Sequence, residues 1–177
     1  MTLEEIKEKI KNNKSLTIGE LKQLRDLLNI DCEITTFNNI DYSNNKPKII
    51  LLQKDYKGEL LPLGHFVCCF INNNTIYYYD CSDGTPPLGL HKKYKLSPKA
   101  QPIKDFYNYV KQFNIDYFNL PLQEKNSENC GVSSLLRIIN KDLTNEQYKT
   151  LLIELKKRFN FNNFDDLINH IILLYLN

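Results

Sequence analysis

Hydrophobic positions along this chain follow two rhythms, a helical spacing of three to four residues at both ends and an alternating or continuous pattern between. Leu3, Ile6 and Ile10 form one helical stripe. Thr17-Ile-Gly-Glu20 is a capping-box pattern, and Leu21, Leu24, Leu27 and Leu28 carry a second helix away from it. Residues 29–48 are polar and aperiodic, which predicts an irregular stretch. Lys48–Gln53 is an apolar run before a Lys-Asp-Tyr-Lys-Gly turn and reads as a buried strand. Gly64–Ile71 and Thr75–Asp80 are rich in β-branched and aromatic residues, and Asn72-Asn-Asn74 between them predicts a hairpin.

Ser82-Asp-Gly-Thr-Pro-Pro87 then breaks the chain. Residues 104–113 pattern as a helix, and 115–120 as a strand stopped by Pro121. After a polar loop, Val132, Leu135, Leu136 and Ile139 recur at helical spacing behind Cys130. Thr144-Asn-Glu-Gln147 is another capping box, opening a helix to about residue 159. A last helix covers 164–176, with Asp165 and Asp166 near its positive end. No repeat or linker divides the chain. The expectation is one α+β domain over residues 1–177: an N-terminal helical segment (1–46), a core (47–140) built on a central mixed or antiparallel sheet, and C-terminal helices (141–177).

Composition narrows the class. Hydrophobic residues make up 42% and charged residues 25%, as in a soluble globular chain. A formal net charge of +2 offers no support for nucleic-acid binding. The apolar tail at 171–176 is far too short to span a bilayer, so no membrane partner is expected. Five cysteines, an odd number without C-x-x-C spacing, and no secretory apolar run point to free thiols in a reducing compartment.

The candidate chemistry centres on Cys130. A thiol beside the first turn of a helix meets unpaired N–H groups and the helix dipole, both favouring the thiolate. Gly131 adds no side chain, so a substrate backbone could approach the sulfur. Of three histidines, His91 sits in a basic loop and His170 in the last helix, whereas His65 opens a predicted strand. Asp80 ends the paired strand, at the same end of the hairpin ladder as His65. A carboxylate there can accept the ring N–H and stabilise the imidazolium. Asp83 is a rival in the following turn. Gln123 lies on the approach to Cys130, where its amide could join the Cys130 N–H as an oxyanion donor, with Asn126 and Asn129 as competitors and Asn129 equally suited to an N-cap. Cys68 and Cys69 are adjacent on a strand and should face opposite ways, which leaves no zinc-ligand spacing. No phosphate-cradling glycine loop or serine nucleophile elbow is present.

Taken together, Gly64-His65-Phe66-Val67, Tyr78-Tyr79-Asp80-Cys81, Pro86-Pro87 and Gln123-x6-Cys130-Gly131 resemble the order of the adenovirus-type maturation peptidases and the related SUMO-type modifier peptidases. Length and the Pro-Pro pair resemble most the capsid-maturation proteases of virophages and related transposon-like viruses. The resemblance covers residues 47–140. It implies an adenain-like fold with the nucleophile at a helix N-terminus, His65 as general base, Asp80 as its orienter, Cys130 as nucleophile and Gln123 as oxyanion donor. Gly64, Phe66 and Gly131 would lie against substrate. It further implies cleavage at glycine-containing sites of capsid or other virion proteins, in the virion and host cytoplasm, without a cofactor. Some members respond to DNA or to a peptide activator; the near-neutral charge gives no reason to expect the first. The alternatives are a peptidase acting on ubiquitin-like conjugates of host proteins and an inert virion interaction module. The chain departs from the family in having Phe66 where Trp is usual and Cys81 where Ser is frequent.

Overall fold

A computed structural model describes residues 1–56, 59–95 and 99–177, with side chains described outside 54–63. Two capped helices open the chain, α1 (Leu3–Lys11) and α2 (Ile18–Leu27). Each starts at a threonine whose hydroxyl accepts the N3 backbone N–H while the N3 glutamate returns the bond to the threonine N–H. The sheet follows as β1 (Glu33–Thr36), β2 (Lys48–Tyr56), β3 (Glu59–Asn72), β4 (Thr75–Tyr79) and β5 (Asn114–Tyr117), paired in that order. β2–β3 and β3–β4 are antiparallel and the two outer pairings are parallel, so the sheet is mixed.

Between β4 and β5 lie a short α3 (Leu90–Lys93) and α4 (Gln101–Val110). After β5 come α5 (Cys130–Ile139), α6 (Asn145–Arg158) and α7 (Phe164–Tyr175). The class is α+β, a five-stranded mixed sheet flanked by helices. The strand period splits the core in two. Ile49, Leu51, Phe66, Cys68, Phe70 and Tyr79 pack with α1, α2, α5, α6 and α7. Ile50, Leu52, Val67, Cys69, Ile76 and Tyr78 pack with α3 and α4. Cys68 and Cys69 therefore face opposite layers.

The β3–β4 hairpin turns on two residues, Asn73 and Asn74, both with positive φ, with Asn72 paired to Thr75. Asparagine tolerates that left-handed backbone, which suits a two-residue hairpin loop. Four expectations need correction. Residues 29–48 are not wholly irregular, because Glu33–Thr36 forms β1; Ile34 is its only buried residue, too little for a period to register. Lys54–Tyr56 extends β2 rather than turning, while residues 57 and 58 of the expected turn lie outside the described part. The helix expected at 104–113 begins at Gln101 and the strand expected at 115–120 ends at Tyr117. Pro102 explains the first shift, since proline is accommodated in an opening helical turn. Among the described residues no helix is long and apolar enough to cross a membrane.

Candidate active site

β4 is shorter than β3, and the site forms in the space this leaves. Tyr79 is the last β4 residue and pairs with Cys68. Extending that register puts Asp80 across from Val67, with His65 one same-face step further along β3. The two are thus diagonal neighbours rather than directly opposed, still within reach of each other. His65 Nε2 lies 2.8 Å from Asp80 Oδ1. Both side chains share the sheet face of Val67 and Tyr78, toward α3.

Cys130 arrives from the other face. It is the first residue of α5, and its sulfur accepts the Phe66 N–H at 3.4 Å. With β4 already ended, this N–H on the open edge of β3 takes a side chain in place of a strand partner. Because Asp80 engages Nε2, the ring nitrogen left for the sulfur is Nδ1. Burial works against the His65 imidazolium, but the bonds to Asp80 and Cys130 and their charges outweigh it and push His65 up to about 9.

Asp80 is fully buried, a position a carboxylate occupies only when paired. Its Oδ1 accepts from His65, from the Ser82 N–H at 3.0 Å and from the Ser82 hydroxyl at 2.8 Å. Its Oδ2 accepts from Lys93 at 3.0 Å and from the Tyr94 hydroxyl at 2.7 Å. Burial raises the carboxyl, yet His65, Lys93 and Ser82 together hold it far below the usual carboxylate range. Lys93 also binds Ser82 and Asp83, pinning the 80–85 turn. Tyr94 stacks on the His65 ring, centroids 5.4 Å apart and planes 19° from parallel.

Neither Lys93 nor Tyr94 carries a sequence signal, since only the chain's return through α3 brings them to Asp80. Ser82 does carry one. Asp-x-Ser, two residues apart, is a local Asx-turn pattern. Tyr94→Phe keeps the stack and removes one bond to a buried carboxylate. It should lower unfolding free energy by about 1.5–3 kcal/mol in denaturant titration, the usual worth of a hydrogen bond to a charged group.

Gln123 is held beside this cluster from several directions. The Leu122 and Gln123 N–H groups both donate to the Cys81 carbonyl, at 2.9 and 3.0 Å. Gln123 Nε2 donates to the Ser127 carbonyl at 2.9 Å, using one of its two hydrogens. Of the competitors, Asn126 is exposed, and Asn129 occupies the N-cap position without a side-chain cap bond, its amide donating to Asn169 instead. Asp83 pairs with Lys93 and Thr85 and is not the orienter of His65. His91 is not simply solvated, since its Nδ1 lies 2.6 Å from the Tyr107 hydroxyl. His170 is exposed beside Phe161.

The three residues expected against substrate have packing duties. The Phe66 ring is 2% exposed and belongs to the helical core. A Cβ on Gly131 would lie 3.2 Å from both Leu21 and Phe66 side-chain carbons, so this glycine lets α5 approach α2 and β3. A Cβ on Gly64 would stand 2.0 Å from the Leu52 carbonyl oxygen, which requires glycine there for β2 and β3 to pair. Cys130 itself is 4% exposed, so a ligand must reach the sulfur through a narrow approach. All five cysteines are free thiols. Among the described residues no three His, Cys, Asp or Glu side chains cluster as a metal site.

The arrangement can pass a proton between sulfur and imidazole while a buried carboxylate holds the ring. Set against family models, curated proteins and solved structures, the chain matches none of them.

Proposed function

We propose that this chain is a cysteine peptidase. The observation that carries the proposal is the convergence of β3, the end of β4 and the start of α5: Asp80 binds one ring nitrogen of His65 at 2.8 Å while Cys130 acts on the same ring. In this reading His65 takes the Cys130 proton, giving a thiolate–imidazolium pair. The thiolate attacks the scissile carbonyl, and the free Gln123 amide hydrogen with the Cys130 N–H receives the oxyanion. His65 then protonates the leaving amine, and afterwards takes a proton from the water that hydrolyses the thioester. Asp80 keeps its charge throughout and positions the ring.

The resemblance to adenovirus-type maturation peptidases extends the proposal to an adenain-like fold and to virion proteins cleaved at glycine-containing sites. The order His65, Asp80, Gln123, Cys130 supports it, as does the placement of Cys130 at a helix start. The test of the oxyanion role is Gln123→Ala. Loss of one such donor costs on the order of 10²–10³ in kcat elsewhere, and the same range is expected here in steady-state hydrolysis, with KM little changed. A Gln123→Ala enzyme as fast as the parent would remove the residue from the mechanism.

A further inference from the structure

Cys81 is 1% exposed and directly follows the carboxylate that orients His65. Its thiol lies 3.8 Å from Gln123 Oε1, the distance of an S–H···O hydrogen bond. Its carbonyl accepts the two N–H groups of Leu122 and Gln123. One residue thus holds both the backbone and the side chain of Gln123.

A glutamine amide can sit in two orientations, exchanging its oxygen and nitrogen. The Ser127 carbonyl can only accept, so it selects Nε2. The Cys81 thiol, while protonated, donates and selects Oε1. Burial, with the neighbouring Cys130 adding to it, pushes that thiol well above its ordinary range and keeps its proton in place. The two partners impose the same orientation from opposite ends. The hydrogen left on Nε2 is then fixed in direction before any substrate arrives, which is what preorganised oxyanion stabilisation requires.

Resting on the peptidase reading, we infer that Cys81 is a positioning residue whose S–H donates to Gln123 Oε1 and sets the amide for its oxyanion role. A hydroxyl can make the same donation and a methyl cannot. Cys81→Ser should therefore keep the parent rate of acylation and Cys81→Ala should slow it.

The test compares acylation and alkylation of Cys130 in the full chain. The acylating probe is p-nitrophenyl acetate, whose attack builds an oxyanion; the alkylating probe is iodoacetamide, whose displacement builds none. Cys81→Ala should lower the p-nitrophenol burst rate about 10-fold, less than outright loss of a donor, with Cys130 alkylation by iodoacetamide unchanged. Cys81→Ser should restore the burst. Equal burst rates in parent and Cys81→Ala, equal losses of both rates, or failure of serine to restore the burst rate where alanine lowers it would each overturn the positioning role. A parent protein with no burst removable by Cys130→Ala would instead overturn the peptidase reading beneath it.

Discussion

Cys130→Ala is expected to abolish turnover completely. In the proposed reaction the sulfur forms the acyl intermediate, and among the described residues the neighbouring Ser82 hydroxyl is already engaged with Asp80 and Lys93. Cys81 is engaged with Gln123, and Ser133 is buried against the Tyr79 hydroxyl at 2.5 Å. The substitution removes a single atom from a residue that is 4% exposed, so the fold should survive it. Co-expression of parent and variant with candidate virion proteins, followed by mass spectrometry of the products, checks the outcome. Fragments ending at the same peptide bonds in both samples would show that some other group cuts.

Asp80→Asn should have the second largest effect, lowering kcat on the order of 10³–10⁴-fold, as removal of a triad carboxylate does in serine peptidases. Asparagine is nearly isosteric, but it carries no charge to hold the imidazolium and leaves Lys93 without its buried counterion. The pH profile tests the cause. In the parent the imidazolium, needed to protonate the leaving amine, is lost as pH rises through about 9, so activity should fall there. In Asp80→Asn that alkaline limb should move to lower pH. Stability follows the same sign. His65 titrates higher in the folded chain than its ordinary 6.5, so its contribution is full below about that pH and disappears as pH rises through about 9. Melting temperature measured across this interval should decline in the parent and stay flatter in the variant. An unchanged alkaline limb would mean that Asp80 does not govern the ring.

The helices were legible wherever caps and stripes agreed, as at Thr17 and Thr144. The hairpin was legible because three asparagines between two β-rich runs leave little else for the chain to do. The central pair, His65 and Asp80, could be read from the hairpin's symmetry, although the register makes them diagonal. What the sequence could not carry was contact across long separations. Lys93 and Tyr94 meet Asp80 only because α3 returns over that sheet face, and nothing in the basic stretch His91-Lys-Lys-Tyr-Lys95 announces it. The packing role of the glycines was hidden for a related reason. Beside a nucleophile, an absent side chain suggests room for substrate; here Gly131 makes room for Leu21 and Phe66, and Gly64 for the backbone of β2. β1 leaves no sequence signal because one inward residue in four gives no rhythm.

Native-state alkylation of the parent chain at neutral pH, mapped residue by residue by mass spectrometry, tests the pairing of sulfur and imidazole most directly. All five thiols are buried, so exposure alone favours none of them decisively. Iodoacetamide should modify Cys130 well ahead of Cys32, Cys68, Cys69 and Cys81, and His65→Ala should erase that lead. Modification of Cys130 no faster than its four neighbours, or a lead that persists without His65, would contradict the account.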